Sequence, residues 1–122
     1  MTGSYKGIPF GIMVWWSEVK NASFYDIEFY LDNTVIELRK LGPNNLWTSF
    51  TNIADFRYYY LQNSKYVSNE NRPTDIIYQD QQIDVIYNKR YKVIIKALDK
   101  SNTLLSQVEV PCDVLDLSEL PH

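Results

Sequence analysis

Between residues 25 and 31, Tyr25, Ile27, Phe29 and Leu31 alternate with Asp26, Glu28 and Tyr30. Only an extended strand can sort such an order into an apolar and a polar face, because strand side chains switch sides at every residue. The same period of two runs through Phe10, Ile12, Val14 and Trp16, set against Gly11, Met13 and Trp15, and again through Tyr91, Val93, Ile95 and Ala97, set against Lys92, Ile94, Lys96 and Leu98. Each run predicts a strand with one buried face.

Turn chemistry separates these runs. Lys20-Asn21 interrupts the first, and Asp32-Asn33 turns the chain into a second antiparallel strand over Thr34 to Leu41, since Asx side chains bond nearby backbone and tolerate positive φ. Gly42-Pro43-Asn44-Asn45 ends that strand, and Trp47 to Phe50 suits a short one. Ile53 to Leu61, which includes Tyr58, Tyr59 and Tyr60, fits a strand better than a single amphipathic helical turn. Asn63 to Asp75 reads as a long polar loop, flanked by short strand candidates at Ile76–Tyr78 and Ile83–Tyr87. Asn88-Lys89-Arg90 makes a turn, and Asp99 to Asn102 closes a hairpin into Leu104–Val110. Pro111 either ends regular pairing or confines it to an edge strand, because proline has no donor for the ladder.

About seven short strands with no convincing long helix predict an all-β, antiparallel β-sandwich with a long central insertion. Its expected extent is residues 1–112, with 113–122 as an acidic tail. A chain of 122 residues has room for one core. By area scaling, roughly two-thirds of its surface leaves water on folding, which suffices for independent stability. Ten tyrosines and ten asparagines against four glycines are the main departures from average composition. The tyrosines favour pleated, half-buried surfaces.

Two segments look like a known family. Trp16-x-x-Val19-x-x-Ala22-x-x-Tyr25-x-Ile27-x-Phe29 resembles the second-to-third strand signature of fibronectin type III domains. Tyr91-x-Val93-x-Ile95-x-Ala97 looks like the family's later strand. The resemblance implies an Ig-like sandwich in which Trp16 packs between the sheets and Tyr91 is a corner tyrosine whose hydroxyl bonds upstream backbone. It covers roughly residues 8–41 and 83–112. About 40 residues between the motifs exceed the family's usual spacing, and the first strand of the sandwich is barely visible before Phe10. Trp16, Tyr25, Ile27, Phe29, Tyr91, Val93 and Ile95 are thus the expected core. The fold is a scaffold for many purposes, so it implies no activity by itself.

Residue chemistry argues against catalysis. The one histidine, His122, is the last residue, and the one cysteine, Cys112, has nothing basic nearby in sequence to activate it. Asp26 and Glu28 share a strand face roughly 7 Å apart, a spacing open to glycoside hydrolysis but usual for a solvated face. Asp113, Asp116 and Glu119 match no calcium loop, and the glycines form no phosphate cradle. No catalytic, cofactor-binding or metal-binding residue is therefore expected. A net charge of −3 without a basic cluster argues against nucleic acid. The lack of a secretion signal and of a long apolar run argues against export or a membrane span.

The aromatic surplus is the remaining functional signal. Trp15 has opposite parity to Trp16, and Trp47 and Tyr58–Tyr60 must also place rings outside. Exposed aromatics suit protein interfaces. Trp15, Trp47, Tyr58, Tyr59 and Tyr60 are accordingly the expected partner interface. The function expected is that of a non-enzymatic structural protein of a larger assembly, foremost a virion, where it would be a head-decoration or tail-associated protein of a bacteriophage. The alternative is a carbohydrate-binding or adhesion module in which Trp15, Trp47 or Tyr59 stacks on sugar rings.

Overall fold

A computed structural model describes residues 1–52 and 85–116. The described residues fold into two antiparallel sheets stacked as a β-sandwich. Its strands are β1 (Gly3–Ile8), β2 (Gly11–Trp16), β3 (Phe24–Leu31), β4 (Thr34–Leu41), β5 (Trp47–Thr51), β6 (Lys89–Leu98) and β7 (Leu104–Val114). The first sheet runs β1-β2-β5 and the second β4-β3-β6-β7. Tyr58–Tyr60, the loop expected over 63–75 and the strand candidate at 76–78 lie outside the described residues.

Alternation does what the sequence predicts. Ile12, Val14 and Trp16 of β2 meet Tyr25, Ile27 and Phe29 of β3 and Tyr91, Val93, Ile95 and Ala97 of β6 in one buried cluster. Phe29 stacks on Phe50 of the opposite sheet, with ring centroids 4.1 Å apart, and on Tyr91 at 4.7 Å. Trp16 leans on Tyr25 with centroids 5.7 Å apart.

Four expectations need correction. A complete edge strand, β1, precedes Phe10; its alternation is hidden because Gly3 and Gly7 take inward positions where apolar side chains would have marked it. A Cβ on Gly3 would press on Val108 and Val110. Phe10 is no strand residue: it sits in the β1–β2 turn at φ 71°, buried, with its carbonyl accepting the Asn52 N–H. Lys89 and Arg90 open β6 rather than forming a turn, while Val85–Tyr87 form no strand. There the Tyr91 hydroxyl accepts the Ile86 N–H at 2.9 Å and donates to the Ile86 carbonyl at 3.3 Å, so these backbone groups serve a corner instead of a ladder. Finally, β7 continues through Pro111 to Val114, so Asp113 and Val114 belong to the strand and not to the tail, and Cys112 and Val114 are buried core. The strand lies at a sheet edge, where a residue without an N–H costs no ladder bond on its free side.

The scarcity of glycine has a structural counterpart in the turns. Asn21, Asp32, Asn88 and Asn102 all adopt positive φ, the region Asx residues tolerate best among non-glycines. Asp99 completes the β6–β7 hairpin by accepting the Ser101 and Thr103 N–H groups at 2.8 and 3.0 Å.

Gly11 is needed for a different reason. Its backbone crosses β5 so closely that a Cβ would collide with the Phe50 carbonyl and lie 2.8 Å from the Thr51 Cα. Gly11→Ala is expected to destabilise the fold by about 1–3 kcal/mol, the range of overpacking substitutions, in urea denaturation followed by tryptophan fluorescence. An unchanged midpoint would show that β2 and β5 separate without cost.

Candidate functional site

The ladder register brings two of the five expected interface residues together. Trp15 of β2 stands directly opposite Trp47 of β5, both on the outward face of the three-stranded sheet, while Trp16 turns inward. Directly opposed residues hold their Cβ atoms about 4.5–5.5 Å apart. Trp15 is 37% exposed and Trp47 is half-buried. Ser4 and Lys6 of β1 flank the pair opposite Trp15 and Met13. Lys6 is the one charged residue among the outward positions of these three strands. At the other end of the same face, Ile8, Ser49 and Thr51 are already buried within the chain. The other three expected interface residues, Tyr58–Tyr60, fall outside the described part.

The outward face of the four-stranded sheet has the opposite character. Lys96 Nζ donates to Glu28 Oε2 at 3.0 Å, the Tyr30 hydroxyl donates to Glu28 Oε1 at 3.0 Å, and Lys92 pairs with Glu109 at 3.3 Å. Lys40 lies over the Phe24 ring at 4.1 Å and Lys92 over Tyr30 at 5.3 Å. Charges here are matched within the chain.

That matching decides the fate of the Asp26–Glu28 pair. A glycosidase acid must keep its proton near neutral pH, which requires a raised pKa. Burial alone would raise the Glu28 pKa, but hydrogen bonds from Lys96 and Tyr30, with the Lys96 charge, outweigh it and hold the carboxyl below its ordinary value. Glu28 is an ion-pair partner of Lys96 in a sheet. At the far end of the sheet, Asp113 is bound by Arg90 at 2.7 and 3.2 Å. Among the described residues no group of three His, Cys, Asp or Glu side chains could hold a metal ion.

Cys112 is buried, its thiol donates to the Val110 carbonyl at 3.2 Å, and burial, with Asp113 adding, pushes its pKa up to about 12. A thiolate does not form there at neutral pH.

Sequence reasoning missed Arg39. It belongs to β4, faces inward, and its side chain is 5% exposed. Nη1 donates to Thr48 Oγ1 at 2.7 Å and to the Ser49 carbonyl at 2.6 Å, and the guanidinium lies 4.2 Å over the Phe50 ring. Burial pushes its pKa down to about 10, and Glu37, with Oε2 4.0 Å from Nη2, offsets part of that. Nε and Nη2 have no hydrogen-bond partner. The one legible signal was parity: Arg39 shares its inward phase with Leu41, where an apolar residue is the rule.

Two measurements follow from these environments. Because Glu28 has a lowered folded pKa, its stabilisation is full above the ordinary value of 4.5 and is lost as pH falls through the lowered value. Glu28→Gln is expected to flatten the acid limb of the stability–pH curve in that window and leave its slope above pH 6 unchanged. Cys112 should react with a thiol reagent only as fast as the protein unfolds; labelling of native protein faster than global unfolding would contradict its burial.

Compared with models of known protein families and with curated proteins, the chain matches none.

Proposed function

We propose that this chain is a non-enzymatic binding module that docks on a larger protein assembly through the outward face of β1, β2 and β5. The observation that carries this reading is the contrast between the two outer faces. One is laced with internal ion pairs, whereas the other presents Trp15, Trp47 and Met13 with Lys6 as its single charge. Depletion of charge and enrichment of tryptophan and methionine mark the cores of protein interfaces. The chemistry of Cys112 and Glu28 supports a binding role over a catalytic one.

A fibronectin type III-like lineage is the scaffold we infer. Three features support it: Trp16 buried against Tyr25, the two hydrogen bonds between the Tyr91 hydroxyl and the Ile86 backbone, and the placing of β4. The fourth strand joins β3 rather than the sheet of β1, β2 and β5, unlike the constant-type immunoglobulin arrangement. The assembly to test first is a bacteriophage virion, with the chain as a head-decoration or tail-associated protein. A sandwich with one aromatic face of low charge gains avidity when repeated on a lattice. Glycan stacking on Trp15 is the competing use of the same face.

The test is co-purification of tagged chain with capsid or tail proteins from infected cells, repeated with Trp15→Ala and Trp47→Ala. Loss of an interface tryptophan is expected to weaken capture at least about tenfold. Capture that is indifferent to both substitutions would overturn the docking face. Binding to a polysaccharide panel that is abolished by Trp15→Ala would replace the protein partner with a glycan.

A further inference from the structure

Among the described residues four strands end the two sheets, and three of them are bonded to a neighbouring element of the other sheet. β7 donates its Asp113 N–H to the Tyr5 hydroxyl of β1 at 3.2 Å, and the Met1 ammonium of the segment leading into β1 donates to Ser106 Oγ at 3.2 Å, so these two edges cover each other. β5 gives its Ser49 carbonyl to Arg39. The edge of β4 differs. Its Leu38 N–H donates to the neighbouring Glu37 carboxylate at 3.2 Å, and no other described strand pairs with the side of β4 away from β3. Leu38 and Val35, both outward on this strand, are 63% and 45% exposed. An edge of eight residues that no described strand covers, with protruding apolar side chains, is a template for strand addition.

The buried Arg39 on the same strand supplies the second observation. Its Nε and Nη2 donors make no hydrogen bond although the side chain is 5% exposed, and Nη2 has only the 4.0 Å ion pair with Glu37 of its own strand. Such donors cost free energy until an acceptor arrives.

We propose that two copies of this chain pair through β4, antiparallel about a two-fold axis at Leu38, joining their four-stranded sheets into one. In this register Leu38 of each copy faces Leu38 of the other. Because their N–H and C=O groups point out of the edge, the two residues exchange both backbone bonds. Glu37 of each copy then lies opposite Arg39 of the other, so the carboxylate that now covers the Leu38 N–H and stands 4.0 Å from its own Arg39 Nη2 is free to hydrogen-bond the guanidinium of the other copy. Val35 falls opposite Leu41 and Lys40 opposite Ile36, and nowhere do like charges meet. A second copy fits better than a foreign peptide because donor and acceptor lie two residues apart on one strand, the spacing that a two-fold through the residue between them requires. The β-bulge that leaves Ile36 as an extra residue against β3 limits the paired length, so the association is weak and concentration-dependent.

Sedimentation velocity on the full chain from micromolar to millimolar concentration tests the pairing. Reversible doubling of the mass is expected. Leu38→Lys sets two ammonium groups opposite each other and should weaken association at least about tenfold. The side chain there is exposed, so an unchanged urea midpoint will show that the variant folds. Register is read with Leu38→Cys under mild oxidant, which should yield a covalent dimer, whereas Lys40→Cys, opposite Ile36, should not; the native Cys112 is buried and stays silent. Three results would each overturn the proposal: a monomer throughout the range, a dimer unaffected by Leu38→Lys, or equal cross-linking of the two cysteine variants. None of them touches the tryptophan face, so the docking reading stands or falls separately.

Discussion

Phe29 is the residue on which the two sheets meet. Its ring is sandwiched between Phe50 from the opposite sheet, at an interplanar angle of 6°, and Tyr91 from the neighbouring strand, at 0°. Aromatic pairs of this kind contribute beyond the area they bury. Three consequences follow from this stack. β3 is held at the middle of its sheet, β5 is held against it, and Tyr91 is oriented so that its hydroxyl reaches Ile86. The corner that starts β6 is thus built on the same contact that closes the core.

The stack leaves two open flanks, and the chain closes each with polar groups. On one side Tyr5 of β1 receives the Asp113 N–H of β7. On the other, Arg39 spans from β4 to β5 and covers Phe50. A buried guanidinium is a costly strut, since it must be desolvated and two of its nitrogens make no hydrogen bond. The indole N–H of Trp16 is likewise buried without a partner. What Arg39 supplies in return is a direct link from β4 to the Thr48 hydroxyl and the Ser49 carbonyl of β5.

The core was legible wherever a strand had one wet and one dry face. Tyr25, Ile27, Phe29, Tyr91, Val93 and Ile95 announced themselves by period alone, and their burial follows. β1 escaped notice because two of its inward positions are glycines, of which Gly3 lies against Val108 and Val110. The extension of β7 past Pro111 escaped because a local rule about donors says nothing of whether that side of the strand is free. The Trp15–Trp47 pair was half legible: parity put both rings outside, but their alignment depends on a register between strands 30 residues apart in sequence, which no local pattern encodes. Arg39 was not legible, because a lone charge in apolar phase is distinguishable from an error in phase only when its acceptors are seen.

The turns carry a consequence for the unfolded chain. Glycine is the usual solution at positive φ, and it leaves the denatured backbone free to wander. By placing Asn21, Asp32, Asn88 and Asn102 at those corners, this chain accepts a small steric cost in the native state and gives its denatured ensemble fewer conformations to lose. Its hairpins therefore begin folding with their bends already favoured, which matters most in a topology where β3 must wait for β6, far along the chain, before its ladder is complete.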